Sequence, residues 1–266
     1  MKECSRCGNE GFIFKRDGDY AQTSPCPACQ ACEPGCDGRG YRFEVNSEGY
    51  RVVTPCACAE IKRRAENFNR AMIPGRYTNV HFARIEVPDN CEDMMMARSQ
   101  SSRFAHEYTE GVEGLLLYGS TGTGKTLLSC CILQFLILQR GVTARFVEFG
   151  HLLTELRNCF REPGRARDVI DPLVNVPFLV IDELGKGRGS EWELSVLDDL
   201  ISKRYNAERT TLLTTNYPIR DGAVYEGEED LSERVGMRIY SRLIEMCEPV
   251  RLTGADYRQS KPPVGF

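Results

Sequence analysis

The sequence has 266 residues, of which 41% are hydrophobic and 27% are charged, and its formal net charge is −4. This composition is typical of a globular protein, and the slight acidity argues against a protein that binds duplex DNA avidly and without sequence preference. No apolar run approaches the about 20 residues that a membrane-spanning helix needs, and the amino terminus lacks the apolar core of a secretory signal, so we expect a cytoplasmic location.

Cysteines set the first part of the chain apart. The sequence contains 13 cysteines, and eight of them fall within the first 58 residues. A segment of this size buries too little apolar surface to fold on its own, so metal ions or disulfides must stabilise it. Paired cysteines in a chain expected in the cytoplasm favour metal. We therefore predict a small zinc-ribbon-like module over residues 1–60.

The cysteine spacing predicts two structural zinc sites, and both use cysteine alone because the three histidines lie elsewhere in the chain. Four thiolates give a closed tetrahedral site. In the sequential grouping, the first four cysteines bind one ion and the last four bind the other. In the nested grouping, which is supported by a similarity of Cys-Asp-Gly-Arg-Gly to the zinc centre of DnaJ-type chaperones, the first and last pairs share an ion. Reactive or disulfide-bonded cysteines are a further alternative. The predicted ligands are Cys4, Cys7, Cys26, Cys29, Cys32, Cys36, Cys56 and Cys58.

A helix is predicted after this module, over Ala59–Ala71, with apolar residues on one face and Ile73-Pro74-Gly75 at its end. We assign residues 61–75 to a linker helix between two domains. This helix either is a plain linker or docks a partner protein or a neighbouring subunit.

From residue 76 onward, short apolar strands alternate with helices, a pattern typical of a parallel sheet covered on both faces. The predicted fold class is α/β, with five parallel strands in one domain over residues 76–266. The predicted strands are Leu115–Tyr118, Ala144–Phe149, Phe178–Ile181, Thr211–Thr215 and Val250–Leu252. The predicted helices are Lys125–Gln139, His151–Phe160, Glu191–Tyr205 and Glu233–Met246.

A complete phosphate-binding loop lies between the first of these strands and the helix that follows. Its glycines let backbone N–H groups approach phosphate oxygens, and the helix amino terminus adds the positive end of its dipole. Lys125 is predicted to contact the β- and γ-phosphates of ATP, and Thr126 is predicted to bind Mg²⁺. The loop residues are Gly119, Ser120, Thr121, Gly122, Thr123, Gly124, Lys125 and Thr126.

Polar residues follow two later strands at the sheet edge where ligands bind in such folds. Asp182 is predicted to hold Mg²⁺ through water, and Glu183 to orient and deprotonate the attacking water. Asn216, after the next strand, is predicted to position this water or touch the γ-phosphate. A simple turn is the alternative for Asn216, because Asn-Tyr-Pro is also favourable turn chemistry.

Arg242, on the last predicted helix, is the candidate for an arginine finger. It would face outward, complete the site of a neighbouring subunit and stabilise the charge on the transferred phosphoryl group. Arg238, one turn earlier, is the competing candidate. A solvated or salt-bridged arginine is the alternative.

Together these motifs resemble those of the AAA+ ATPases, and within them the helicase-loader group typified by DnaC and DnaI, with the related transposition helper IstB. The resemblance implies an AAA+ fold without a C-terminal helical lid. It also implies slow, partner-stimulated ATP hydrolysis that serves as a release switch, self-association and a hexameric replicative helicase as partner. It rests on Ile181–Gly185, Arg188–Glu191, Ser202–Tyr205, Leu213–Asn216, Ser241–Leu243 and Gly254–Arg258.

The resemblance also implies a path for single-stranded DNA after the second strand of this domain. Arg157, Arg161, Arg165 and Arg167 fit an electrostatic groove there, with a solvated surface as the alternative. The implied function is ATP-dependent loading of the replicative helicase in DNA replication, with the cysteine module contacting the helicase as in some loaders of the DnaI type. Two alternatives remain, a transposition helper ATPase of the IstB type and a zinc-dependent protein-binding adaptor with a vestigial ATPase.

Overall fold

The computed structural model describes residues 4–29, 32, 34–85, 87, 91–159, 165–187, 189–219, 229–254 and 256. The chain divides into two compact units, Met1–Asn79 with Gln134–Thr143 and Val80–Leu133 with Ala144–Phe266. The domain limits at residues 60 and 75 stay a prediction. Within the described segments, no helix is both long and apolar enough to cross a membrane. Six residues used in the sequence analysis lie outside the described ones, namely Phe160, Arg161, Arg188, Ala255, Tyr257 and Arg258.

The first unit contains two separate β-hairpins and a helix. Strands β1 (Phe12–Asp17) and β2 (Tyr20–Pro25) pair antiparallel, as do β3 (Tyr41–Val45) and β4 (Arg51–Pro55). The first hairpin turns within two residues, and Gly18 adopts a φ of +58°, a backbone conformation that favours glycine. Each hairpin is a two-stranded sheet, which is marginally stable without further support.

Helix α1 (Ala57–Arg70) packs against the first hairpin and agrees with the predicted helix to within two residues at its start. The Asn69 side chain bonds both backbone groups of Thr23, accepting from its N–H at 2.7 Å and donating to its carbonyl at 3.0 Å. The Phe68 ring is fully buried and stacks edge-on with Phe14 at 5.7 Å between centroids. These contacts give the first hairpin an apolar and hydrogen-bonded support.

The second unit is built on one five-stranded parallel sheet with strand order β6-β7-β8-β5-β9. This sheet confirms the predicted fold class. Its strands are β5 (Gly114–Tyr118), β6 (Ala144–Glu148), β7 (Phe178–Leu184), β8 (Thr210–Thr215) and β9 (Cys247–Arg251). The helices are α2 (Glu92–Glu107), α3 (Lys125–Arg140), α4 (Phe149–Cys159), α5 (Arg165–Asn175), α6 (Glu191–Asn206), α7 (Leu231–Val235) and α8 (Met237–Met246).

The core of this unit lies around the central strands. Every residue of β5 and β8 is buried, so both faces of the sheet are covered there. This burial explains why the strands appear in the sequence as continuous apolar runs. The carboxyl ends of β5, β7 and β8 therefore lie side by side at one edge of a rigid layer.

One helix prediction was incomplete, and two helices were missed. The helix predicted over Glu233–Met246 is two helices, α7 and α8, because Gly236 between them adopts a φ of +82° that breaks the helical path. Helices α2 and α5 were not predicted at all. Strand β9 also begins at Cys247, three residues before the predicted start.

Arg204 of α6 has the largest fully buried side chain in the described part of the chain. Its guanidinium donates to the carbonyl oxygens of Leu173 at 2.7 Å, Val176 at 2.9 Å and Thr210 at 2.6 Å. It also donates to the Thr211 hydroxyl at 2.9 Å. Burial lowers the pKa of Arg204 to about 9, so the group stays charged at neutral pH. Arg204 thus ties α5, α6 and β8 together.

We expect Arg204→Met to lower the free energy of unfolding by about 3 kcal/mol. Several buried carbonyls would lose their donor, at about 1–3 kcal/mol each, and relief of the buried charge would offset part of this loss. Urea denaturation measures the change. The matched control is Lys203→Met, which removes an exposed lysine from the same turn and should stay within about 0.5 kcal/mol of the natural protein. Equal stability of the two variants would contradict this assignment.

Candidate functional site

The loop between β5 and α3 is shaped by glycines that no other residue can replace. Gly119 has a φ of +135°, and a Cβ there would lie 1.9 Å from the carbonyl oxygen of Leu252. Gly122 has a φ of +82°, and its Cβ would lie 1.9 Å from Oδ1 of Asp256. The Thr123 hydroxyl donates to the Ser120 carbonyl at 2.9 Å and closes the loop on itself. This tight loop at a helix amino terminus is suited to bind phosphate.

The Lys125 ammonium points back into the loop. It donates to the carbonyl oxygens of Gly119 at 2.8 Å and Ser120 at 2.6 Å, and the residue is only 7% exposed. A cation held this way adds positive charge where the loop would receive phosphate oxygens. The contact of Lys125 with the β- and γ-phosphates stays a prediction.

Thr126, Asp182 and Thr214 come from three different elements and meet at the sheet edge. The Thr126 hydroxyl donates to the Asp182 carboxylate at 3.0 Å, and the Thr214 hydroxyl donates to the same carboxylate at 2.6 Å. Burial raises the pKa of Asp182, with the nearby Glu183 charge adding to the effect and the two threonine hydrogen bonds opposing it. A hydroxyl and a carboxylate are oxygen donors of the kind that Mg²⁺ prefers, so this pair fits that ion.

Glu183 occupies a strained position next to Asp182. Its φ is +57°, in the left-handed region, and the pairing of β7 with β8 is irregular between Ile181 and Leu184. The Glu183 N–H donates to the Thr214 hydroxyl at 3.0 Å, which holds this bulge in place. Such strain is frequent at functional sites. Here the bulge interrupts the alternation of side chains between the two faces of β7, so the Glu183 side chain departs from that pattern.

Sequence reasoning missed Thr214, whose hydroxyl bonds both acidic residues of β7. Thr214 could have been identified from the sequence, because Thr214 and Thr215 end a fully buried strand, where apolar residues are usual. Asn216 directly follows β8 and is exposed, so its role in positioning water stays a prediction.

Arg242 and Arg238 both pair with Asp198 of α6. The Arg242 guanidinium lies 3.1 Å from an Asp198 oxygen and 5.9 Å from the ring centroid of Tyr205, and its side chain is 24% exposed. The Arg238 pair is longer, at 3.6 Å, and that side chain is 74% exposed. The choice of the finger residue stays a prediction, and Arg238 is the more accessible of the two.

The arginines proposed for single-stranded DNA differ in their surroundings. Arg157 bonds the buried Glu193 carboxylate at 2.6 Å and lies 4.9 Å from the ring centroid of Trp192, so much of its charge is neutralised within the fold. Arg165 and Arg167, on α5, are exposed. Both arginines on α5 are therefore accessible to a phosphate.

The first unit gathers eight cysteines into two clusters whose Sγ atoms lie within 4.8 Å of one another in each cluster. None of the 13 cysteines, all of which lie among the described residues, forms a disulfide. The grouping is the sequential one and not the nested one. The first cluster comprises Cys4, Cys7, Cys26 and Cys29, and the second comprises Cys32, Cys36, Cys56 and Cys58.

The geometry of both clusters fits a tetrahedral zinc ion. Thiolates about 2.3 Å from zinc are about 3.8 Å apart from each other. The Sγ–Sγ distances are 4.0 Å for Cys4 and Cys26, 3.5 Å for Cys36 and Cys58 and a shorter 3.2 Å for Cys7 and Cys29. Backbone N–H groups of Arg6 and Cys7 lower the pKa of Cys4 to about 6, which favours the thiolate. Tight turns bring each cysteine pair together. In one of them, the Gly8 N–H donates to the Cys4 carbonyl at 2.8 Å.

The comparisons with known proteins cover about two thirds of the chain. The family described as IstB-like ATP binding protein matches residues 86–262. The replicative helicase loader DnaC of Escherichia coli strain K12 is 27% identical over 177 residues, 66% of this chain and 67% of that protein. The replicative helicase loader DnaI of Bacillus subtilis strain 168 is 20% identical over 181 residues, 66% of this chain and 58% of that protein.

Solved structures agree with this assignment. The crystal structure of the DnaC helicase loader has a TM-score of 0.59 at 28% identity, and the match covers 67% of this chain and 99% of that one. A crystal structure of DnaI has a TM-score of 0.54 at 24% identity and supports the fold. The phosphate loop and the acidic pair of β7 lie inside the matched residues 86–262, and the family resemblance is thereby confirmed. The chain belongs to the family of IstB-like ATP-binding proteins, and it is an AAA+ ATPase.

Proposed function

We propose that this protein is an ATP-dependent loader of the replicative DNA helicase in DNA replication. The observation that carries the proposal is the meeting of Thr126, Asp182 and Thr214 beside the phosphate loop. Its relatives DnaC and DnaI are replicative helicase loaders. Hydrolysis of ATP would act as the switch that releases the helicase.

The proposed chemistry assigns one role to each residue. Lys125 binds the β- and γ-phosphates, and Thr126 and Asp182 hold Mg²⁺, whose charge neutralises phosphate oxygens when the ion is bound. Glu183 orients the attacking water and accepts its proton, a step that a general base accelerates by about 10²–10⁴-fold. Asn216 helps to position that water.

We infer that the helicase docks on the second hairpin of the first unit. One face of this hairpin carries Phe43, Val45 and Val53, which are 58%, 68% and 61% exposed. Phe43 and Val53 are direct cross-strand neighbours, and the Arg51 guanidinium lies 6.0 Å from the Phe43 ring centroid. An apolar face of this kind marks a protein interaction site, and Arg51 would favour a helicase surface that presents a carboxylate.

The test is size-exclusion chromatography with light scattering on the full-length protein mixed with the replicative helicase of its host, with and without ATP. We expect a stable complex that Phe43→Ser with Val53→Ser weakens at least tenfold. The control is Tyr20→Ser, which alters an exposed aromatic residue of the first hairpin and should leave the complex intact. If no nucleotide state gives a complex, the loader proposal fails.

A transposition helper is the second candidate, because the matching family is described by its IstB-like members. A complex with a transposase of the same host, and none with the helicase, would favour it.

Binding of single-stranded DNA and self-association belong to the same proposal. Exposed Arg165 and Arg167 on α5 would contact phosphates. Arg242, or the more exposed Arg238, would reach the ATP site of a neighbouring subunit after leaving Asp198.

A further inference from the structure

Lys186 lies three residues after Glu183 and contacts its carboxylate. The chain turns tightly here, because the Lys186 N–H donates to the Glu183 carbonyl at 3.1 Å. The Lys186 ammonium then donates to Oε2 of Glu183 and lies 3.5 Å from Oε1 of Glu148. One lysine thus bridges two carboxylates that belong to different strands.

The sheet explains why a cation is favourable at this point. Strands β6 and β7 are adjacent and parallel, and Glu148 is in register with Asp182. Three carboxylates, those of Glu148, Asp182 and Glu183, therefore lie at one edge of the sheet. The hydrogen bond to Glu183 and the charge of both glutamates raise the pKa of Lys186, so it is protonated and opposes this negative charge.

We propose that Lys186 is a positioning residue that restrains the Glu183 carboxylate and slows ATP hydrolysis in the free protein. A carboxylate oxygen that accepts a hydrogen bond from an ammonium is less available to accept a proton from water. The restraint acts through Glu183, so the inference rests on the catalytic role proposed for that residue.

The structure also provides space for Lys186 to leave. A cavity of about 410 Å³ borders its side chain. Glu193 also lines this cavity, and its buried carboxylate is already paired with Arg157 at 2.6 Å. The cavity is lined by Gly150, Leu153, Arg157, Lys186, Gly187 and Glu193.

The restraint is weak enough to be reversible. The Lys186 side chain is 62% exposed and that of Glu183 is 29% exposed, so water and salt screen the pair. Exposed ion pairs of this kind contribute little stabilisation, so loss of one changes a rate by about two- to fivefold. Partner binding that displaces Lys186 would then raise the turnover.

The test compares steady-state ATP hydrolysis by full-length variants. We expect Lys186→Met to raise kcat about two- to fivefold with KM for ATP unchanged within about twofold. Lys186→Arg, which keeps the charge, should restore the natural kcat. The matched control is Lys203→Met, which removes a lysine of similar exposure that pairs with Asp199 on α6 and should leave kcat unchanged.

An unchanged or lower kcat in Lys186→Met would overturn the proposal, as would a rise in KM that indicates a direct contact with ATP. Glu183→Gln separates this outcome from a failure of the catalytic assignment. If Glu183→Gln is inactive and Lys186→Met has the kcat of the natural protein, only the proposed restraint of Glu183 by Lys186 is wrong. If Glu183→Gln retains full turnover, the catalytic assignment itself is wrong. Helicase binding enters neither measurement.

Discussion

Replacing Glu183 with glutamine is expected to lower kcat for ATP hydrolysis at least about 100-fold while leaving the affinity for ATP within about twofold. The amide has nearly the shape of the carboxylate, so the strained backbone at φ +57° and its N–H bond to Thr214 should persist. The exchange removes the proton acceptor and the negative charge that pairs with Lys186. Phosphate release measures the turnover, and equilibrium binding of a fluorescent ATP analogue measures the affinity.

Glu155→Gln is the matched control for this variant, because it makes the same exchange at an exposed position on α4. It should hydrolyse ATP at the natural rate. Turnover that survives in Glu183→Gln would assign the general base to another residue. A loss of ATP binding in that variant would instead mean that the exchange disturbed the phosphate loop.

Removal of zinc is expected to unfold the second hairpin. The apolar cluster beneath this hairpin consists of Cys36, Cys56 and Cys58, with Cys32 packed against them, and the hairpin exposes its larger apolar side chains. These cysteines bury too little apolar surface to stabilise the hairpin without a metal. Structural zinc, in contrast, contributes about 10 kcal/mol or more to the folding of small modules. A strong chelator should therefore remove the NMR signals of folded β3 and β4.

Metal analysis of freshly purified, reduced protein provides the quantitative test. We expect two zinc ions per chain in the natural protein and one in Cys36→Ser. The control, Cys91→Ser, changes a cysteine outside both clusters and should retain two ions. Protein without zinc that keeps a folded second hairpin would refute the structural role of the metal.

The parallel sheet and the phosphate loop were predictable because their residues are neighbours in the sequence. Strands β5, β7 and β8 are continuous apolar runs, which burial on both faces requires, and the loop motif directly follows β5. Helix α2 was missed because its sequence mixes Met94 with charged and small polar residues and has little helical periodicity. Helix α5 was missed because Pro172 within it is normally a helix breaker.

The contacts that complete the site depend on strand order, which the sequence does not state. Thr214 reaches Asp182 because β8 lies between β7 and β5, although 32 residues separate the two side chains along the chain. The left-handed backbone of Glu183 is likewise unexpected for a residue with a side chain, and it follows from the irregular pairing of β7 with β8.

The double role of the Thr214 hydroxyl limits how this position can vary in evolution. Valine has nearly the same shape as threonine and suits a buried strand better, so at most such positions it would be the conservative exchange. Here valine would leave the Glu183 N–H without this partner and would remove one of the two threonine hydrogen bonds to the Asp182 carboxylate, while the smaller serine would keep both Thr214 bonds. Among homologous sequences, this strand position should therefore alternate between threonine and serine, against the usual preference of a buried strand.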